Sequence, residues 1–262
     1  MVNTLKRLLL AALLLSCSAF ASESGRIAYR AQKLLSGGRF AAAYDAYSMA
    51  LLASRKESDL LSEARVLLSM AQIRINSLDL VLADSLLSVI REPSLDAVTR
   101  VAVTEARMEL ANASEDPGKV LKLAASVAKE DFKEASDGLQ AAFYAEQSYA
   151  LAALGNLDSA YKSVDRVRKA LSKSDGRYIL AKARVEEIAK NWNVADSLYA
   201  EAEKISITEN RIFRTANILY YRSRVWDKLN RKQEAEDARV RSAQAFELMG
   251  LPKLKQRSEK GN

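Results

Sequence analysis

Histidine is absent from these 262 residues, cysteine occurs once, at position 17, and there are only three prolines and nine glycines. Each shortage removes a class of chemistry or of fold. Without histidine there is no Ser-His-Asp or Cys-His catalysis, no Cys/His zinc site and no side chain that ordinarily titrates near neutral pH. A single cysteine allows no intrachain disulfide, so stability must come from packing. Strand-rich domains need a turn about every 8–12 residues, and so few glycines and prolines cannot supply them. Aromatic residues are sparse too, at 7%.

What remains is abundant alanine and leucine within a chain that is 49% apolar and 28% charged. That balance predicts long helices and an all-α fold. Carboxylate, lysine, tyrosine and Ser-Lys chemistry stay open in principle. Two S-x-x-K matches occur, Ser126–Lys129 and Ser159–Lys162. Both fall inside ordinary helical patterns in a chain rich in both residue types, and they are read as incidental. No catalytic residue, metal ligand or cofactor is expected.

Residues 1–21 read as an export signal: Lys6 and Arg7, a short apolar run from Leu8 to Leu15, then small residues. The run is too short for a bilayer core, which needs roughly 20 residues. Two cleavage readings stand. Ala19-Phe20-Ala21 offers an A-x-A site that would leave a chain beginning at Ser22. Leu14-Leu15-Ser16-Cys17 resembles a bacterial lipobox, in which Cys17 would carry the lipid. Either way the expected location is the periplasm, with any membrane attachment made through the N-terminal lipid.

An internal period organises the rest. A bulky residue is followed by alanine three later, a large residue four further on, and another small or apolar residue three after that. Phe40, Ala43, Tyr47, Ala50 are the first copy. Leu80, Ala83, Leu87, Ile90 follow, then Leu157, Ala160, Val164, Val167, then Trp192, Ala195, Tyr199, Ala202. A frayed copy runs Lys232, Ala235, Arg239, Ser242, and a weak one lies at Gly118 to Ala128, anchored on Leu121. Spacings of three and four put each set on one helical face. The anchors fall at 43, 83, 121, 160, 195 and 235, and a first helix precedes each, marked by Leu67 and Ala71, Tyr144 and Ser148, or Ile179 and Ala183. Twelve helices in six pairs are predicted over residues 22–249, with a basic, disordered tail at 250–262.

This order of large, small and aromatic residues resembles the tetratricopeptide repeat, over about residues 24–249. Units here exceed that family's 34 residues, and its closing proline appears only near Pro93. The resemblance implies an αα-superhelix whose first helices line a concave groove through their second, fifth and ninth positions. By register the ninth position would hold Gln32, Gln72, Leu110, Tyr149, Arg184 and Arg224. The fifth would hold Ala28, Leu68, Ala106, Ala145, Leu180 and Tyr220, and the second contributes Arg65 and Arg177. The lysine and asparagine with which chaperone-binding members clamp a terminal carboxylate are missing from these rows. By size, export and repeat number the chain is also similar to pilotins of pilus secretins and to repeat-built lipoproteins of outer-membrane assembly.

Residues 204–262 hold 14 Lys/Arg against 7 Asp/Glu, whereas residues 22–203 hold 24 against 26. The positive excess therefore sits in the last repeat and the tail. The expected partner is a protein or peptide, acidic or carboxylate-bearing, met by Arg177, Arg184, Arg222, Arg224 and Tyr220. Nucleic acid is not expected, because export removes the chain from it and no reader motif is present. Two other classes stay open: a carboxylate-dependent hydrolase, although adjacent Glu186 and Glu187 point apart on a helix, and a module that associates with its own copies through frayed end repeats. Trp192 and Trp226 are read as packing between helices.

Overall fold

The computed structural model describes residues 22–261 except 92 and 94; the expected export signal and Cys17 lie outside them. The described residues contain fourteen α-helices and no strand. Six antiparallel pairs account for most of them: α1 (Glu23–Ser36) with α2 (Phe40–Lys56), α3 (Leu60–Asn76) with α4 (Leu80–Ser88), and α5 (Ala97–Ala113) with α6 (Pro117–Ser126). A short α7 (Lys129–Glu134) then leads to α8 (Asp137–Ala153) with α9 (Leu157–Ala170), α10 (Gly176–Ile188) with α11 (Trp192–Thr208), and α12 (Ile212–Lys228) with α13 (Lys232–Leu248). A last helix, α14 (Pro252–Lys260), stands alone. The expected all-α superhelix of six pairs is the observed one.

One connection, used nine times, makes these hairpins. Three residues separate the helices, the middle one is left-handed, and the third returns its N–H to a carbonyl of the last helical turn, as Arg39 does to Leu34 and Asn191 to Glu186. This is a Schellman stop followed at once by a new helix start. Glycine fills the left-handed position only at Gly38, Gly155 and Gly250, whereas Ser58, Leu78, Glu115, Lys190, Asn210 and Asn230 adopt it despite a Cβ. That is how so few glycines punctuate so many helices. The Cβ penalty, about 1–2 kcal/mol, exceeds what glycine costs in unfolded-chain entropy. Lys190→Gly, on an exposed turn with φ 63°, is therefore expected to raise stability by about 0.5–1 kcal/mol, a gain of roughly 2 °C in melting temperature measurable by calorimetry.

The alanine anchors are the tightest points of the fold. Ala43, Ala83, Ala160, Ala195 and Ala235 are wholly inaccessible, each on the fourth residue of its helix. The third anchor is Val120, equally inaccessible, and not Leu121, which is half-buried. Pro117 occupies the helix's first position there, where others carry a bulky side chain, so the sequence pattern slips by one residue. The same slip affects α5. Each full-length first helix begins four residues before its first repeat position, which places that position at 101 rather than 102. Leu110 and Ala106, expected in the groove, are buried between pairs instead, at 4% and 0% exposure. Glu109 and Glu105 take their places.

The tail is also not disordered. After the same three-residue connection, Pro252 opens α14 where its missing N–H costs nothing, Leu254 is buried, and Ser258 is buried against Ser242 at 3.0 Å. Two of its lysines are engaged: Lys255 with Glu247 at 2.7 Å and Lys253 with the Leu78 carbonyl at 3.1 Å. That second bond reaches back to pair two. The Phe40 and Phe213 rings lie 5.1 Å apart, Phe213 and Phe246 6.1 Å, and Gly38 faces the Met249 side chain so closely that a Cβ would touch its Cγ at 3.4 Å. Phe40, Ala43, Tyr47, Phe246, Met249 and Leu254 belong to one buried cluster. The superhelix thus completes a turn and its two ends pack together, contact that the self-association reading assigned to separate copies.

Candidate functional site

Closure turns the concave groove into a central cavity of about 930 Å³. The ninth positions of consecutive first helices form its spine: Gln72, Glu109, Tyr149, Arg184 and Arg224. Two pairs of neighbours in this row touch. Gln72 donates through Nε2 to Glu109 Oε2, and the Arg184 guanidinium lies 4.0 Å over the Tyr149 ring. Successive repeats therefore present one continuous strip of side chains, as the superhelix requires of equivalent positions.

The strip has two electrical halves. On α10, α12 and α14 it is basic and aromatic. Arg184 is flanked by Tyr149 and, at 5.7 Å, by Tyr221. Its nearest carboxylate is Glu146, at 3.8 Å, beyond hydrogen-bond range, and its Nε is buried without a partner. Arg224 is tied to Glu187 at 3.1 Å, and Glu187 also accepts from the Tyr199 hydroxyl at 2.6 Å. Arg257 covers the Tyr220 ring at 4.1 Å and donates to Asn217 at 3.0 Å. Of these cations, Arg184 is the one stacked by aromatic rings with its fork unclaimed.

On α5 and α8 the strip is acidic. Glu109 and Glu146 line the cavity, and Glu105 lies one helical turn before Glu109. Burial first, then the charge of Glu146, pushes the Glu105 carboxyl up to about 8. Glu109 is raised well above its ordinary range by burial and by Glu105 and Glu146, with Arg184 opposing. Crowded carboxylates under desolvation retain protons to higher pH. Asn112 donates through Nδ2 to both the Glu146 carboxylate, at 2.7 Å, and its backbone carbonyl, at 3.0 Å. These two acceptors fix the amide's orientation and leave its buried Oδ1 without a partner.

Among the residues expected at the site, Gln72 joins the strip through its bond to Glu109, while Tyr149, Arg184, Tyr220 and Arg224 line the cavity. Three lie elsewhere. Gln32 is exposed and accepts from the Tyr47 hydroxyl at 2.8 Å. Arg65 bridges repeats by pairing with Asp96, the residue that caps α5, at 2.6 Å. Arg177 folds back on its own helix cap, Asp175, at 2.8 Å. Arg222 also turns away, held by Asp196 at 2.7 Å and Glu203 at 2.8 Å. Glu186 and Glu187 do diverge: Glu186 accepts from Tyr161 and Asn191, Glu187 from Tyr199. Trp226 is 8% exposed, with the Arg222 and Arg231 guanidiniums over its ring at 4.4 and 5.0 Å. Glu105 and Glu109 escape the sequence reading because it sets the third repeat's register one residue late. A reading from the Asp96 cap would have put both glutamates in the groove, since Asp96 accepts from the Thr99 amide at 2.8 Å.

No family model matches the chain, and no curated protein does. Among solved structures it is similar to a tetratricopeptide repeat protein from Parabacteroides merdae, at 15% identity and a TM-score of 0.47, with 89% of this chain and 98% of that one covered.

Proposed function

We propose that this tetratricopeptide-like solenoid is a non-catalytic binding scaffold of the bacterial cell envelope, whose cavity receives an extended protein segment bearing a carboxylate. The Arg184 fork carries the reading. A guanidinium sandwiched by tyrosines, with both terminal nitrogens unclaimed at hydrogen-bond distance, is arranged for bidentate recognition of a carboxylate. The cavity's size suits a few residues of an extended chain. The leader motifs at residues 1–21 support the location.

Arg184→Met keeps the bulk over Tyr149 and removes the fork. Titration of a fluorescent triglutamate peptide is expected to show a loss of ten- to a hundredfold in affinity for Arg184→Met. Arg177→Met, outside the cavity, is expected to change it less than twofold. Equal affinity in the wild type and Arg184→Met would discard the reading. The grouping of Glu105, Glu109 and Glu146 favours the other class, a carboxylate hydrolase, because it places a proton-bearing acid near a second carboxylate. Gln72 and Asn112 already engage two of those carboxylates, which favours binding. Turnover of fluorogenic glycan fragments, present in the wild type and lost in both Glu109→Gln and Glu146→Gln, would reverse that preference.

A further inference from the structure

We propose that the acidic wall of the cavity, formed by Glu109, Glu146 and Asn112 with Glu105 one helical turn before Glu109, is a subsite for an organic cation of the ligand, a lysine or arginine side chain or an amino terminus. The inference rests on the binding reading above and extends it: the ligand segment is amphoteric, with its carboxylate at Arg184 and its cation across the cavity.

Every unsatisfied feature of this wall is an acceptor. Three carboxyl groups lie near enough to raise one another's proton affinity, yet few protein donors reach them: Gln72 to Glu109, Asn112 to Glu146, and Arg184 at 3.8 Å from Glu146. Asn112 is only 8% exposed, lines the cavity, and has an acceptor oxygen with no partner. Because its Nδ2 is committed twice, the missing group must be a donor. A primary ammonium brings three donors and a guanidinium five, with a positive charge the crowded carboxylates lack. A metal ion is the weaker candidate, since no group of three or more His, Cys, Asp or Glu among the described residues is disposed to hold one.

Charge balance sets a signature. The charged groups acting on Glu105 and Glu109 are Glu146 from α8 and Arg184 from α10; neutral Gln72 from α3 bonds Glu109, and Tyr149 of α8 lines the same cavity. The one positive charge of Arg184 does not offset the burial and mutual repulsion acting on Glu105 and Glu109, so these two hold protons at neutral pH. An entering cation displaces them. Binding should release close to one proton, and affinity should rise toward tenfold per pH unit between pH 6 and 8.

The experiment is calorimetric titration of the full chain with trilysine amide, in phosphate and in Tris, which differ in ionisation enthalpy. Fully acetylated trilysine amide and triglutamate serve as comparisons. Expected are proton release in the wild type, at least tenfold weaker binding in Glu109→Gln and in Glu146→Gln, diminished proton release in Glu109→Gln, and no binding of the acetylated peptide. Both variants relieve buried repulsion, so loss of binding would not reflect unfolding; circular dichroism checks this. Binding that is equal for the acetylated peptide, or flat with pH and insensitive to both substitutions, overturns the cation subsite. If trilysine fails while triglutamate binds through Arg184, only this inference falls. If both fail, the binding reading falls with it.

Discussion

Phe246→Ala is expected to cost about 3–5 kcal/mol of stability and to separate the two ends of the solenoid. Phe246 is wholly buried in the cluster where the last pair meets the first: its ring lies 6.1 Å from that of Phe213, also in the last pair, which lies 5.1 Å from Phe40 in the first. The truncation leaves a cavity where two chain ends otherwise share one apolar cluster. In a solenoid, stability is a sum of units and nearest-neighbour interfaces, and this interface joins units far apart in sequence. Leu87→Ala makes the right comparison. Leu87 is 1% exposed in the cluster that joins pairs two and three, so its loss should cost a similar 2–5 kcal/mol without opening the turn. Urea denaturation reads the stability of both variants, and small-angle scattering reads their maximum dimension. An increase confined to Phe246→Ala is the expected outcome. Equal dimensions in both variants would show that closure does not depend on this cluster.

Closure also sets what the cavity can do. An open superhelix presents a groove along which a segment can slide, and a closed turn presents a chamber with defined walls. Lys253, reaching from α14 to the Leu78 carbonyl at 3.1 Å, and Arg257, covering Tyr220 at 4.1 Å, put the last helix both in the fastening and in the chamber wall. Whatever loosens α14 therefore changes the binding surface and the closure together.

The parts of this design written in short-range spacing were legible in the sequence. Ala43, Ala83, Ala160, Ala195 and Ala235 announce themselves because a small residue three after a helix start recurs and only a small residue lets two helices approach so closely. Where that signal was replaced, at Pro117 and Val120, the register drifted by one. On a helix one residue is about 100°, enough to exchange a groove position for a buried one. Glu105 and Glu109 disappeared from view for that reason alone. Arg65 and Arg177 share a register position near the groove, but each has a helix cap beside it, Asp96 and Asp175, and the caps claim them. Long-range facts were not legible at all. Nothing local to Phe40 or Phe213 says that they meet, because closure depends on the small rotation from each pair to the next, summed along the chain. The basic tail looked disordered by composition, yet Leu254 and Ser258 fall four apart and find a buried face prepared by Ser242 and the first pairs.

The second large effect is a fall in stability as pH rises from about 5 to 8, a direction opposite to acid denaturation. Glu105 and Glu109 are raised in the folded chain, Glu105 from 4.5 to about 8. Between those values the native state holds a proton that the unfolded chain has released, so each pH unit favours unfolding by up to about 1.4 kcal/mol per group. Below the unfolded value the contribution is fully present; above the folded value it is gone. The carboxylates held low by partners, among them Asp59, Asp131 and Asp227, act with the opposite sign at pH below about 4, outside this window. The absence of histidine makes the window clean, because no imidazole titrates inside it. Urea midpoints measured from pH 5 to 8 should therefore decline by an amount on the order of a few kcal/mol, and Glu105→Gln should flatten much of that decline by removing one titrating member of the cluster. A flat wild-type profile would mean that Glu105 and Glu109 stay ionised in the folded chain. A falling profile that levels when trilysine amide is added would tie the same protons to the ligand: the cation that fills the wall would then supply the charge the fold itself leaves out.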